Sequence, residues 1–265
     1  MDIGLIVIGD EILSGRREDK HLARVIALLA ARGLALSWAR FLGDDRARIA
    51  AVLAEVFAGG ELVFSCGGIG ATPDDHTRQA AAQALGVPLE LHPQARELIT
   101  ARMREQAREQ GLPFEPQRAD NLHRLNMGCF PRGAAIIPNP YNQIPGFSIG
   151  DTHFLPGFPV MAWPMIEQLL DGRYRALHGA AVVREHSVIV RGSSEAVLTP
   201  LMERIEAAHP GVRVFSLPCA DEDHRFGRHI ELGVKGAPAA AQAAFDALRQ
   251  GLAALGVQAG PQASR

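Results

Sequence analysis

One stretch limits what this chain can become. Leu62, Val63, Phe64, Ser65 and Cys66 form a short, mostly apolar run, broken at once by Gly67-Gly68-Ile69-Gly70. Ala71-Thr72-Pro73-Asp74-Asp75-His76-Thr77 then leads into a helical pattern. Strand, glycine loop and helix in this order let backbone N–H groups converge on an anion. Glycine lets the main chain approach closely and adopt positive φ. Two adjacent carboxylates repel phosphate unless a divalent cation sits between them and the phosphate oxygens. The stretch predicts a metal-assisted phosphate or diphosphate site.

The flanking residues place that site in an α/β sheet. Residues 3–8 are a near-continuous apolar strand, as in a parallel sheet covered on both faces. A helix is expected over 20–32, with Leu22, Val25, Ile26 and Leu29 on one stripe and Gly33 at its end. Residues 34–42 read as a second strand, ending at Gly43-Asp44-Asp45. Ile49, Val52, Leu53 and Val56 mark the next helix, with an aspartate as cap and Gly59-Gly60 as its stop. Alternating strands and helices predict parallel pairing, and ligands sit beyond the carboxyl ends of such strands. Asp10, Asp44 and Asp74 or Asp75 each follow a strand, so all belong to one rim. The dinucleotide-binding Gly-x-Gly-x-x-Gly pattern is absent after the first strand, and there is no P-loop pattern.

Further on, helices are expected over 77–85, stopped by Gly86, and over 93–110, with Ala95, Leu98, Ile99, Met103 and Ala107 inward. Residues 111–126 carry little pattern. A strand over 134–138, a turn-rich loop over 139–147, a hairpin over 147–155 turning at Gly150-Asp151, and a helix over 160–170 follow. Composition shifts after Asp171-Gly172, and a boundary is expected near Leu177. Strands over 180–190, 212–217 and 228–234 and helices over 195–208 and 239–255 predict a small α+β unit, ferredoxin-like or KH-like. The expected organisation is a first domain over 1–176, a second over 177–257 and a frayed tail over 258–265.

Composition narrows the class. A formal charge of −2 argues against a nucleic-acid coat or a polybasic membrane contact. Aromatic content of 6% is too low for single-strand stacking platforms. Three cysteines without a Cys-x-x-Cys fit a reducing compartment. The chain enters a strand directly, and no apolar run is long enough to span a bilayer. A cytoplasmic protein is expected.

Four motifs occur in order: Gly9-Asp10-Glu11-Ile12-Leu13-Ser14-Gly15; Gly67 to Thr77; Asn139-Pro140 with Pro145-Gly146-Phe147; and Pro156-Gly157-Phe158-Pro159. Together they resemble the molybdopterin-binding-like (molybdenum cofactor biosynthesis) family, and within it the N-terminal part of the competence/damage-inducible protein A type. The resemblance covers roughly residues 2–170, and the second unit is similar to the small domain that follows there. It implies a three-layer αβα domain with a mostly parallel sheet. Relatives bind or adenylylate molybdopterin, and the competence-type branch is associated with metal-dependent hydrolysis of nucleotide diphosphates such as ADP-ribose. A related domain accompanies eukaryotic FAD synthase. The resemblance also implies a closed homo-oligomer, dimer or trimer. Gly67, Gly68, Gly70 and Thr72 match the family's phosphate-binding segment, Asp75 the acid after it, and Asp44 the acid after the second strand. Phe158 stands where proline is common and Asn142 where glycine is common. The amidohydrolase domain often fused to such proteins has no counterpart in these residues, so nicotinamide-nucleotide deamidation is not implied.

The candidates are therefore Asp44 and Asp75 as catalytic groups, and Asp10, Asp44 and Asp75 as ligands for Mg²⁺, Mn²⁺ or Co²⁺. Gly67, Gly68, Gly70, Thr72, Asn139 and Gly157 are the phosphate- or ligand-binding positions. Helix capping is the competing role for the aspartates, and turn formation for Asn139 and Gly157. Glu11 reads as a supporting acid, and Arg16, Arg17 and Lys20 as exposed basic side chains. Asp221-Glu222-Asp223-His224 with His229 reads as a solvated hairpin, and Cys66 as a small buried residue closing a strand. Three functions fit: a nucleotide diphosphate hydrolase, an adenylyltransferase acting on molybdopterin, and a pterin- or nucleotide-binding protein without catalysis.

Overall fold

The computed structural model describes residues 1–179, 183–221 and 224–264. The chain divides into two compact units, Met1–His178 and Gly179–Arg265. In chain order the first unit contains β1 (Ile3–Ile8), α1 (Asp10–Leu13), α2 (His21–Ala30), β2 (Trp38–Leu42), α3 (Arg46–Gly59), β3 (Leu62–Cys66) and α4 (Thr77–Leu85). There follow β4 (Leu89–Leu91), α5 (Pro93–Glu109), α6 (Ala119–Leu125), β5 (Cys129–Pro131), β6 (Ala135–Ile137), β7 (Gly146–Ile149), β8 (Thr152–Leu155) and α7 (Pro159–Asp171).

The main sheet has the order β2-β1-β3-β8-β7-β6. β2, β1, β3 and β8 are mutually parallel, while β7 and β6 add as antiparallel strands at one edge. β4 and β5 form a separate two-stranded pair. β1 is buried along its whole length, and its alternating side chains explain the layering. Ile6 and Ile8 pack with Ile49 and Leu53 of α3, Ala80 of α4 and Ile99 of α5. Ile3, Leu5 and Val7 pack on the opposite face with Val25 and Leu29 of α2 and Met165 and Ile166 of α7. The result is the expected three-layer αβα unit with a mostly parallel sheet. Each fully buried aliphatic side chain here contributes about 1.5–3 kcal/mol.

Several local expectations shift. β2 starts at Trp38: the Leu34 N–H still closes the end of α2 by donating to the Leu29 carbonyl at 2.9 Å, and the chain reaches β1 only at Ser37, whose N–H donates to Ile3 O at 2.8 Å. In α2 the buried stripe is His21, Val25, Leu28 and Leu29, and Ile26 is turned out to solvent. α6 falls in the stretch that had no pattern, and β4 and β5 are three-residue strands too short for a period to register. Asp45 caps α3 by accepting from the Arg48 N–H at 2.7 Å.

The second unit runs β9 (Arg184–Val190), α8 (Glu195–Ala208), β10 (Arg213–Cys219), β11 (His229–Gly236), α9 (Pro238–Ala254) and β12 (Ala259–Ser264). Its sheet order is β10-β11-β9-β12 with every pairing antiparallel. This is the ferredoxin-like β-α-β-β-α-β arrangement. Val188, Leu198, Leu201, Leu232, Leu248 and Leu252 centre its core. The tail from 258 was expected to fray, but β12 pairs with β9 across a register shift between Ala259 and Gln262. It is fully exposed and contains Pro261, which an edge strand tolerates. Residues 180–182, in the strand expected from 180, lie outside the described residues.

Candidate functional site

The carboxyl ends of β1, β2, β3 and β8 open onto a cavity of about 380 Å³. Its wall includes residues 67–72, Asp44, Asp74, Asp75, Glu11 and Arg17, together with Asn139 and residues 156–158. The sequence thus brings its separated motifs to one place, because each directly follows a strand of the same sheet.

The glycine loop is shaped by close contacts. Gly67 has φ +112°, and a Cβ there would lie 2.2 Å from the Ile8 carbonyl oxygen. Gly68 has φ +68°, and its Cβ would lie 2.2 Å from Thr77 Oγ1. Thr77 starts α4 and draws in the loop carbonyls: its Oγ1 donates to Gly67 O and its N–H to Gly68 O, both at 3.0 Å. The Gly67 N–H donates to the Leu155 carbonyl of β8 at 3.0 Å, so this amide is committed to the sheet. Among the described residues, the N–H groups of Gly68, Ile69, Gly70 and Ala71 have no protein acceptor. These four amides, not that of Gly67, are the loop's available donors.

Arg78 is the residue that sequence reasoning missed. Its guanidinium is buried beneath the loop and donates to the carbonyls of Gly70, at 2.5 Å, and of Asn126. Burial lowers its pKa, opposed by Cys129 and Asp75. Its place one residue into a helix that follows a glycine loop is a weak signal, since most arginines there face water.

The acids fall into two groups. Asp75 Oδ2 accepts from the Thr72 N–H at 2.8 Å and from the Thr72 hydroxyl at 2.5 Å, which fastens the loop. The carboxylate lies over Gly70, where a Cβ would come within 2.5 Å of Oδ2. Asp74 is fully exposed, and the single Thr72 hydroxyl proton goes to Asp75 rather than to it. Asp10 and Asp44 exchange bonds: the Asp10 N–H donates to Asp44 Oδ2 at 2.9 Å, and the Asp44 N–H to Asp10 Oδ1 at 3.2 Å. Asp10 supports Asp44 and is not part of the cavity wall. Partial burial pushes the Asp44 carboxyl up; the Asp10 N–H opposes this, and the charges of Asp10, Glu11 and Asp74 add to it. Capping of α3 falls to Asp45, which leaves Asp44 free of that role.

The opposite wall is fastened in the same manner. Asn139 is buried, and its Nδ2 donates to Asn142 Oδ1 at 2.8 Å and to Ile144 O at 2.9 Å. Its Oδ1 accepts from the Tyr141 N–H at 3.0 Å, so the side chain is consumed by the turn. Gly157 packs against Gly67, and its carbonyl pairs with Nε2 of buried His21 at 3.0 Å. Phe158, 54% exposed, faces the Arg17 guanidinium at 5.9 Å. Arg17, 3.7 Å from Glu11, is exposed as expected and also lines the cavity wall. Met127, Ile144 and Met161 supply apolar surface. Cys66 is fully buried, and burial pushes its thiol far up, which makes it inert. In the acidic stretch of the second unit, Glu222 and Asp223 lie outside the described residues.

Residues 4–176 match the family model described as "Probable molybdopterin binding domain". A CinA-like protein of Anaeromyxobacter dehalogenans (strain 2CP-C) is 31% identical over 251 residues, covering 92% of this chain and 57% of the relative. A CinA-like protein of Geobacter metallireducens is 31% identical over 221 residues, covering 81% of this chain and 51% of the relative. The chain therefore spans little more than half the length of either. The protein CinA from Thermoplasma acidophilum shares the fold, with TM-score 0.54 and 24% identity over 64% of this chain and 98% of that one. These relatives bear out the resemblance to the competence/damage-inducible protein A type. No helix among the described residues is long and apolar enough to cross a membrane.

Proposed function

Because the chain belongs to the family of the probable molybdopterin binding domain, we propose that it hydrolyses the phosphoanhydride bond of a nucleoside diphosphate derivative of the ADP-ribose or FAD class. The observation that carries this reading is the set of acceptor-free amides at Gly68–Ala71 on the same cavity wall as the raised carboxyl of Asp44. Amides alone would fit any anion. Amides beside a strained carboxylate group fit a phosphate that arrives with a hard cation.

The residues present suit such a cation. Burial above all, and then the charges of Asp10, Glu11 and Asp74, push the Asp44 carboxyl up, and carboxylates that repel one another are relieved by a shared divalent ion. Asp44 and Asp74 would hold it, with Asp10 orienting Asp44 through the exchanged backbone bonds. When bound, Mg²⁺, Mn²⁺ or Co²⁺ polarises a phosphoryl oxygen and lowers the pKa of water. The amides of Gly68–Ala71 bind the diphosphate, and Arg17 neutralises further charge. Asp75 keeps Oδ1 outside its bonds to Thr72 and accepts the proton of the attacking water. The products are two phosphate monoesters.

A second reading is molybdopterin binding, with or without its adenylylation. Phe158 with the Arg17 guanidinium, beside Met127 and Met161, favours a flat ring at this wall. Pterin-dependent ATP consumption separates it from hydrolysis, and metal-independent binding without product marks a non-catalytic binder. A closed homo-oligomer, dimer or trimer, and a cytoplasmic location complete the proposal; sedimentation equilibrium tests the first.

The decisive experiment incubates the chain with ADP-ribose or FAD and each cation and separates the products by chromatography. Metal-dependent formation of AMP is expected. Absence of turnover with every cation, or full turnover in Asp75→Ala, rejects the mechanism.

A further inference from the structure

We propose that the second unit binds a thiolate-accepting divalent cation of the Zn²⁺ class through Cys219, His224 and His229. The sulfur of Cys219 and one ring nitrogen from each histidine lie within 4.8 Å of one another. The spacing Cys-x4-His-x4-His is contained in one connection, from the end of β10 to the start of β11.

Register explains why the three meet. Cys219 and His229 are directly opposite in the antiparallel β10–β11 ladder. Cross-strand partners place their side chains on the same face, with Cβ atoms roughly 5 Å apart. His224 stands beside that pair, its imidazole centroid 4.7 Å from that of His229. The sequence reading grouped His224 with neighbouring acids and left Cys219 out, because pairing across a hairpin is not visible as spacing.

The His229 ring is oriented for the task. His229 Nδ1 lies 2.6 Å from the Gly227 carbonyl. That bond puts the proton on Nδ1 and leaves the Nε2 lone pair for a metal, as in most histidine sites. His224 Nδ1 accepts from the Phe226 N–H at 3.3 Å, a long bond that ligation gives up. Phe226 packs edge-on to His229 and tilted to His224, and Arg191 and Arg225 cover its ring. Tetrahedral zinc separates sulfur and nitrogen ligands by about 3.5 Å and two nitrogens by about 3.3 Å, given bonds of about 2.3 and 2.0 Å. Side-chain rotation of about 1 Å closes the cluster to those values. A thiolate with two neutral imidazoles selects zinc over the hard cations that carboxylates prefer. Three protein ligands leave the fourth position to water or an incoming donor. Loading pins the loop between the two strands.

The test uses the full chain stripped with chelator. Co²⁺ is titrated as a spectroscopic probe and then displaced with Zn²⁺. The expected result is a thiolate-to-metal charge-transfer band with tetrahedral d–d bands that saturate at one equivalent and vanish on Zn²⁺ addition. The acidic rim of the first unit offers oxygen donors and gives no thiolate band, so the two sites are distinguished. Cys219→Ser should abolish the band and weaken Zn²⁺ by at least ~100-fold, His224→Ala and His229→Ala should each weaken it by ~10-fold or more, and Cys129→Ser should change nothing. A variant-free readout protects against misfolding. Zn²⁺ should shield Cys219 from iodoacetamide in the unaltered chain, read by peptide mass spectrometry. No thiolate band, a band retained in Cys219→Ser, or alkylation of Cys219 undiminished by Zn²⁺ overturns the proposal.

Discussion

Gly68 and Gly86 have nearly the same backbone, φ +68° and φ +66°, and their alanine variants isolate what the glycine loop needs. The left-handed strain of an L-residue, about 1–2 kcal/mol, is common to both and cancels in the comparison. At Gly86 an added Cβ meets nothing within 4 Å. At Gly68 it would stand 2.2 Å from Thr77 Oγ1, and Thr77 is fully buried. Making room requires the threonine to leave its bond to Gly67 O, a loss of about 1 kcal/mol. Overpacking against a buried helix start adds about 1–3 kcal/mol. Gly68→Ala should therefore cost about 2–4 kcal/mol more than Gly86→Ala. Urea unfolding followed by near-ultraviolet circular dichroism reads this as a midpoint lower by about 1 M, for a slope of about 2–3 kcal/mol per M. Equal midpoints for the two variants would refute the claim that the loop is held against Thr77.

The Asp44 carboxyl is raised in the folded chain, so its contribution to stability is present at acid pH and is lost as pH rises through its folded pKa. Asp44→Asn should consequently be more stable than the parent at neutral pH, the advantage should vanish on acidification, and only the parent should gain thermal stability from Mg²⁺. His153 is buried between Ser148 and Tyr174, and burial lowers its pKa to about 4. Its ring signals should stay in the neutral position down to that pH in a proton NMR titration, and a midpoint near 6.5 would contradict the buried geometry. Arg78→Met removes the donors to Gly70 O and Asn126 O; Asn126 O keeps the Cys129 N–H, so the cost is that of an unsatisfied Gly70 carbonyl, about 1–3 kcal/mol. Hydrogen exchange of the loop amides should speed up while the sheet stays protected, and ADP-ribose turnover should fall with it.

What the sequence discloses and what it hides differ in physical kind. Apolar runs such as residues 3–8 and 62–66 declare strands covered on both faces, and Gly60 and Gly86 declare helix ends because both take left-handed φ. The hairpin turn at Gly150 is readable for the same reason. β4 and β5 are only three residues long, so no periodicity can accumulate. β12 is exposed and contains a proline, and its pairing with β9 is decided across a long separation rather than locally. Ile26 and Leu28 are equally apolar, and only packing against α7 and β1 decides which turns inward. Arg17 and Arg78 resemble ordinary surface arginines in sequence. Arg17 takes part in the cavity wall from the connection between α1 and α2, and Arg78 lies beneath the loop at the start of α4.

The site has a division of labour that motif reading alone inverts. The residues that mark the motifs are largely occupied in holding loops to one another. Gly67 donates to β8, Asp75 binds Thr72, Asn139 closes its own turn, and the Gly157 carbonyl is tied to His21. The groups left available are the amides between those anchors, the carboxylates of Asp44 and Asp74, and the Oδ1 of Asp75. An anion cradle requires this order. Four successive N–H groups without a protein acceptor are unsatisfied until a ligand arrives, so the chain that carries them must be fastened by neighbours that take no part in binding. The anchors come from β1, β8, α2 and α4, far apart along the chain, which ties the cavity's shape to closure of the whole sheet. Substitution at an anchor should therefore reduce ligand affinity and stability together. Substitution at Asp74, fully exposed and outside the sheet's bonding, should reduce metal affinity alone.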